Sequence, residues 1–504
     1  MTSRKVDFNS ILAGANLLIA ALLVYVFAQN QGNEYIDEET VVLGVALAVQ
    51  THVALRYERK RRDPFIILLA LSMTFFYLLR LLTLAWYPFS FVFERYPYNA
   101  GNSNYALIFI LVANMFLYAG LYLGRFTGNL EIRPGRWKAT APTRVVMLMF
   151  VAITFAYFSG HYWNEDNVPR AFNFLTIFIA QDIVLLMALA YYFVFKQSLS
   201  RKVGFMIAAM IVIDIVVHTL LGSRGGIVSI VQNYIWVALA IGGCLQLGRK
   251  YFIFGLVLFP VVAALLVGSF AISTYNRAFR NAETLDVSRA FDLAMGSFSE
   301  LSVESTLDKV VPLIADRAGY FDFSAEIIAH KDEYASVLNL STYAKSIVDN
   351  VLTPGFDIYD QPKISNALQF IYDGLGSPSK ELVSGLYHSD QLGIYGESYA
   401  LFGYASLPLF FLTGFIMKKI YGRMRSENPF ILVMKRVIVL WLFVRTLDSY
   451  GLDWTIVEAL PRIAAIYIYK VFFRSKLAAV DESRSSADLH RTITNAPVAL
   501  PSAN

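Results

Sequence analysis

The chain is dominated by apolar runs of about 17–25 residues, the length at which a helix crosses a hydrocarbon layer of about 30 Å. Such runs recur near residues 8–28, 39–55, 64–87, 105–124, 145–160, 171–195, 203–221, 227–247, 251–273, 397–417, 430–447 and 454–473. The length of 504 residues would allow several soluble domains, but only 16% of them are charged and 56% are hydrophobic. A water-soluble chain carries roughly 25% charged residues. The expected fold is therefore an all-α polytopic membrane protein with about twelve transmembrane helices.

The first run, Phe8 to Ala28, follows Arg4 and Lys5 in the manner of a signal peptide. Its apolar core is too long for one, and the acidic stretch Glu34 to Glu39 leads straight into another run, so it reads as a retained signal-anchor helix. Cys244 is the only cysteine and lies within an apolar run, so no disulfide framework exists.

Alternate loops separate by charge. One side carries Arg56 to Arg62, Arg125 to Arg144, Lys196 to Lys202, Arg249-Lys250, Lys418 to Arg425 and both termini; the opposite short loops hold only Arg95, Arg170 and Arg224. The positive-inside rule makes the basic side cytoplasmic, which places both termini there in a multi-pass protein. The other side bears one long insertion. Residues 274–396 contain nine Lys/Arg and seventeen Asp/Glu, a net charge of −8. Val303, Leu307, Val310, Val311 and Ile314 fall at helical spacing, and Pro354-Gly355, Pro362 and Gly374 to Pro378 interrupt it. Short amphipathic helices over the membrane face are expected there. The organisation read from the chain is 1–273 for helices one to nine, 274–396 for the loop domain, 397–473 for helices ten to twelve, and 474–504 for a disordered cytoplasmic tail.

An ionisable side chain within a span costs on the order of 2.5–3.5 kcal/mol, so each one needs a reason. Most map to the outer half: Arg80, Asp214, His218, Arg224, Glu397, Arg445, Asp448, Glu458 and Arg462, with Arg277 and Arg280 emerging into the large loop and Asp182 nearer the middle. Any one of them also fits a helix-packing ion pair, such as Arg445 with Asp448, Arg80 with Asp214, or the i,i+4 dyad Asp214–His218. Packing pairs have no reason to favour one leaflet, whereas a site at the outer boundary does. Arginines suit a diphosphate because guanidinium binds phosphate oxygens bidentately and keeps its charge. The pattern points to an anionic lipid-linked substrate.

Among the histidines, His52 reads as structural, and His161 and His330 as solvated loop residues. His388 sits shortly before the chain re-enters the membrane at Glu397, where a general-base role competes with that of an ordinary loop residue. No residue set has dedicated metal-ligand spacing; Asp357 and Asp360 are merely i,i+3. No phosphate-cradling glycine motif faces the cytoplasm. The loop aromatics Tyr320, Phe321, Phe323, Tyr359 and Tyr372 fit core packing better than sugar stacking.

Three strings carry a family resemblance: Ser223-Arg224-Gly225-Gly226 between two spans, Thr353-Pro354-Gly355-Phe356-Asp357 in the large loop, and Tyr395-Gly396-Glu397-Ser398-Tyr399-Ala400-Leu401-Phe402-Gly403-Tyr404 opening span ten. In these and in its layout the chain resembles the O-antigen (Wzy-type) oligosaccharide repeat-unit polymerases of bacterial envelopes, which are related to O-antigen ligases. The stretch from His388 to Gly393 looks loosely like the ligases' loop histidine motif but lacks their His-Asn pair. The resemblance implies a GT-C-like fold in the bacterial inner membrane and a glycosyltransferase without metal or cofactor. It would move a glycan from polyprenyl diphosphate onto a lipid-linked repeat unit at the periplasmic face. It also implies partners: polyprenyl-diphosphate-linked oligosaccharides, membrane lipids and a chain-length regulator protein, with no nucleic acid. In that reading Arg224, Arg277, Arg80, Arg280 and Arg445 hold the diphosphate, while His388, Glu397 and Arg224 are catalytic. An O-antigen ligase shares this chemistry with another acceptor, and a transporter or lipid flippase is the alternative from a different class.

Overall fold

The computed structural model describes residues 5–30, 32–58, 63–90, 92–124, 142–158, 181–220, 224–242, 246–248, 319–352, 358–372, 393–426, 428–448 and 452–472. The described chain is predominantly helical. The helices used below are α1 (Phe8–Asn30), α2 (Glu38–Glu58), α3 (Pro64–Trp86), α4 (Ala100–Leu123), α5 (Pro142–Phe158), α6 (Gln181–Phe195), α7 (Arg201–Leu220), α8 (Arg224–Gly242), α9 (Tyr320–Ala329), α10 (Leu340–Ile347), α11 (Ile364–Tyr372), α12 (Gly393–Phe402), α13 (Leu407–Arg423), α14 (Pro429–Asp448) and α15 (Leu452–Phe472). A two-stranded antiparallel ribbon pairs Lys5–Asp7 with Gln246–Gly248.

Helices occupy most of each expected apolar segment that is described, although the run 227–247 ends in the strand Gln246–Gly248; the run 251–273 lies outside the described residues. Among the described residues, five helices are long and apolar enough to cross a membrane: Phe8–Asn30, Glu38–Tyr57, Pro64–Trp86, Ala100–Leu123 and Gly393–Arg423. The protein is thus a helical membrane protein. Its apolar side chains point outward as well as inward, because lipid is as apolar as a protein core. Leu18 on α1, Val42 on α2, Met115 on α4 and Leu412 on α13 are all exposed.

Without a hydrophobic force between helices, tight packing has to come from small residues and polar contacts. Both occur where α1 to α4 pack against one another and against α12 and α13. At Gly120 on α4, a Cβ would lie 2.1 Å from the Phe411 carbonyl oxygen of α13, and at Gly414 one would lie 2.6 Å from the Leu117 carbonyl oxygen. Hydrogen bonds cross the interior at one level: Asn16 Nδ2 donates to the Ala48 carbonyl (2.7 Å), Thr74 Oγ1 to Asn16 Oδ1 (3.1 Å), and Tyr395 Oη to Asn114 Oδ1 (2.5 Å).

That level coincides with a π turn in α3, Met73–Leu78, where the Leu79 N–H reaches back to the Thr74 carbonyl. A π turn inserts extra backbone and rotates all that follows, and such turns favour functional sites. Here it precedes Arg80. At the end of the bundle away from the loop domain, Asp63 caps α3 by accepting the Phe65 N–H (3.0 Å) and forms a buried ion pair with Lys418. Lys418, which by sequence belongs to the free basic side, is therefore neutralised within the fold.

The described part of the loop domain docks on this frame. Within α9, residues 321–328 are buried without a break, and the helix packs against α12, α4 and the π turn of α3. Phe321 and Phe323 are core residues, and Tyr320 sets its ring edge-on against Phe76 at 4.4 Å.

Candidate functional site

The strongest polar junction joins α3 to α9. Arg80 is 2% exposed. Its Nε donates to Asp322 Oδ1 (2.9 Å) and its Nη2 to Asp322 Oδ2 (2.5 Å); Nη2 also reaches the Phe89 carbonyl (2.8 Å) and Nη1 the Thr83 hydroxyl (3.3 Å). Ser90 Oγ adds a further bond to Asp322 Oδ2 at 2.5 Å. This corrects two expectations. Arg80 pairs with Asp322 and not with Asp214, and its guanidinium is too fully engaged within the protein to serve as a diphosphate clamp. Asp214 pairs with His218 at 3.6 Å, the dyad expected from their i,i+4 spacing.

A second buried cluster follows one turn along α9. Glu326 is fully buried; its Oε1 accepts from Tyr334 Oη (3.1 Å) and lies 3.1 Å from His330 Nδ1, off the line of a well-formed hydrogen bond. His330 Nε2 is 3.1 Å from the Pro97 carbonyl, which only accepts, so that nitrogen carries a hydrogen. Burial pushes the Glu326 carboxyl up to about 7, against the opposing pull of His330, Tyr334 and Arg95. His330 is thus half-buried between Glu326 and the Pro97 carbonyl, not a freely solvated residue.

The open feature lies on the other side of α12. A cavity of ≈ 680 Å³ runs between α10, α12, α13, α14 and α15. Its wall is mostly alkyl, with Ile394, Leu401, Leu409, Leu412 and Ile416 among its residues. Leu409, Leu412 and Ile416 are also exposed on a helix of membrane-crossing length, so the cavity opens sideways to lipid. Glu397 and Ser398 line it on α12, Thr446 on α14, Thr455 on α15 and Tyr343 on α10. Glu397 as a residue is 9% exposed.

The local sequence explains why Glu397 faces this cavity. Gly393 opens α12 in the left-handed region, at φ +60°, where a side chain would be strained and its Cβ would lie 2.9 Å from Ser324 Oγ. That entry presses Tyr395 inward to Asn114 and turns Glu397 outward. Beyond the cavity, α14 and α15 enclose Trp441 between two arginines, with Arg462 Cζ 4.0 Å and Arg445 Cζ 5.8 Å from the ring centre.

Of the residues expected at a site, the fold places Glu397 on the cavity and Arg445 next to a cavity residue, Thr446. Arg80 lies elsewhere, on the α9 side. Arg224 begins α8, with its side chain outside the described set, while Arg277, Arg280 and His388 lie outside the described residues. Sequence reasoning missed Asp322 and Glu326. The available signal was a pair of carboxylates four residues apart within a run of apolar and aromatic residues, Tyr320 to Ala329. No family model matches the chain, and neither the curated proteins nor the solved structures contain a match.

Proposed function

We propose that the protein is a polytopic glycosyltransferase of the bacterial inner membrane that lengthens a polysaccharide, moving glycan from polyprenyl diphosphate onto a lipid-linked repeat unit at the periplasmic face. One observation carries this reading: a laterally open alkyl groove that holds a buried carboxylate, Glu397, at the side where the loop domain docks. Pockets of about 300–1,000 Å³ with apolar walls and few polar groups are typical ligand sites. A groove open to lipid admits an isoprenoid or acyl chain without drawing it through water. The topology read from loop charges, with cytoplasmic termini and twelve spans in a GT-C-like arrangement, belongs to the same proposal.

In this chemistry the acceptor hydroxyl attacks the anomeric carbon, the carbon–oxygen bond to the diphosphate breaks, and the electron pair leaves with the phosphate oxygen. Glu397 or His388 takes the acceptor proton, a contribution of about 10²–10⁴-fold. Arg224, Arg277, Arg280 and Arg445 offset the charge gathering on the leaving diphosphate. Arg80 drops out of that set and acts by fixing α9. A chain-length regulator remains a proposed protein partner.

The test is a product ladder. Purified protein in vesicles receives a defined lipid-diphosphate oligosaccharide. The proposal expects products lengthened by whole repeat units, and their loss in Glu397→Gln and Arg224→Ala proteins that still fold. A substrate that crosses the vesicle unlengthened identifies a transporter instead.

A further inference from the structure

In the described part of the loop domain, the large apolar side chains are almost all buried or half-buried. Four are not: Leu340 at 61%, Leu352 at 69%, Ile358 at 58% and Tyr359 at 53% exposure. They belong to one local structure. Asn339 caps α10 by accepting the Thr342 N–H (3.0 Å), and α10 runs into a π turn, Val348–Leu352, that ends at Leu352. From that turn the fully buried Asp349 accepts the N–H groups of Ile358 (3.1 Å), Tyr359 (3.1 Å) and Gln361 (2.9 Å). A carboxylate held by three backbone donors fixes the backbone at Ile358 and Tyr359 against the π turn. The apolar side chains are therefore presented by a rigid frame.

The surroundings say what covers them. The same helix turns Tyr343, Ala344 and Ile347 into the groove, and Leu340 both lines the groove and stays exposed at its mouth. Both α10 and its π turn pack against α15, whose outer residues Leu460, Ile463, Tyr467 and Ile468 are exposed in turn. The patch thus continues the lipid-facing surfaces of α13 and α15 past the groove. Lys345 is exposed on α10, where its long stem allows the ammonium to reach phosphate level.

We propose that α10 and its π turn form an in-plane membrane anchor: Leu340, Leu352, Ile358 and Tyr359 enter the headgroup–acyl boundary of the leaflet into which the groove opens. Interfacial helices bind in this way, with an apolar face about 5–10 Å into the boundary and Tyr and Lys at its edge. The anchor makes α10 the roof of the groove and sets its mouth at the level where a lipid's phosphate meets its chain. The inference rests on membrane embedding and is independent of catalysis.

The test uses full-length protein with Cys244 replaced by Ser, reconstituted in mixed phosphatidylcholine–phosphatidylglycerol vesicles. Single cysteines are introduced as Leu352→Cys, Ile358→Cys and, as an exposed control on the preceding turn, Asp332→Cys, and each is labelled with a nitroxide. At 352 and 358, collisions with oxygen are expected to exceed those with a water-soluble nickel chelate several-fold, with the order reversed at 332. All three positions lie on the surface of the fold and outside its core, so the labels leave the packing intact, which the elution profile of the solubilised protein checks. Equal nickel access at 352, 358 and 332 overturns the proposal. Protection from both reagents with dipolar broadening between labels also overturns it, because the patch is then an interface between two copies. Neither result depends on transferase activity, so the anchor and the enzymatic reading fail separately.

Discussion

The two sides of the broken helix α12–α13 follow opposite rules. One side is closed: Gly120 and Gly414 bring α4 and α13 into backbone contact, and α9 lies against α12 with eight consecutive residues buried. The other side is open, where Glu397, Leu412 and Ile416 border a cavity wide enough for a ligand. One helix supplies both because the left-handed Gly393 and the break at Gly403–Ser406 fix the direction of each half separately. A rigid side set against a vacant one is how a membrane protein holds a precise site without closing it to lipid.

That contrast yields graded expectations. The largest effect belongs to Asp322→Ala, which strands the Arg80 guanidinium in the interior. Removing one partner of a buried pair costs about 3–5 kcal/mol, and thermal unfolding in detergent should show it. Asp322→Asn keeps the shape and should lose less; an unchanged melting temperature in both would show that the α3–α9 bridge is not holding the closed side.

Next comes Gly120→Ala, whose methyl meets a backbone carbonyl that has no rotamer to escape into. Overpacking of this kind costs about 1–3 kcal/mol, readable in the same melting series. Separation of α4 from α13 should also lengthen the distance between labels placed on the two helices.

A pH-dependent effect comes from Glu326. Its carboxyl has a folded value of about 7 against an ordinary 4.5, so between those values the folded state keeps a proton that the unfolded chain has released. Stability therefore falls as pH rises from about 4.5 to about 7 and levels off above. Melting temperatures across that range should slope in the parent protein and flatten in Glu326→Gln. The same slope in both proteins would place the titration elsewhere.

The smallest stability change is expected on the open side. Leu412→Trp fills the groove from a lipid-facing position and should stay within about 0.5 kcal/mol of the parent. If the groove is the lipid-chain site, the product ladder nevertheless shortens or disappears. A large loss of stability would mean that the groove is a packed interface, and the comparison of the two sides would collapse.

The helices were legible because a single physical demand produces each of them: backbone groups in lipid must bond within their own segment. No such local demand writes the pairings. Arg80 and Asp322 stand 242 positions apart, and Asp214 was an equally plausible partner by depth alone. The π turn in Met73–Leu78 carries no glycine or proline to announce it. Glu397 could be singled out because a carboxylate at the opening of an apolar run needs an explanation. Asp322 and Glu326 were passed over despite their apolar and aromatic setting, because in an acidic loop they look like ordinary solvated charges until the helix bearing them is seen to be buried. His330 was misjudged for the same reason.

The Arg80–Asp322 bridge also imposes an order on biogenesis. The ribosome makes Arg80 242 residues before its partner, so at about 5–20 residues per second the cation waits roughly 12–50 s for neutralisation. Until then the third helix carries an uncompensated charge into the translocon, and only the arrival of Tyr320–Ala329 lets it settle. A chain truncated before residue 322 therefore lacks the carboxylate that neutralises Arg80 in the interior.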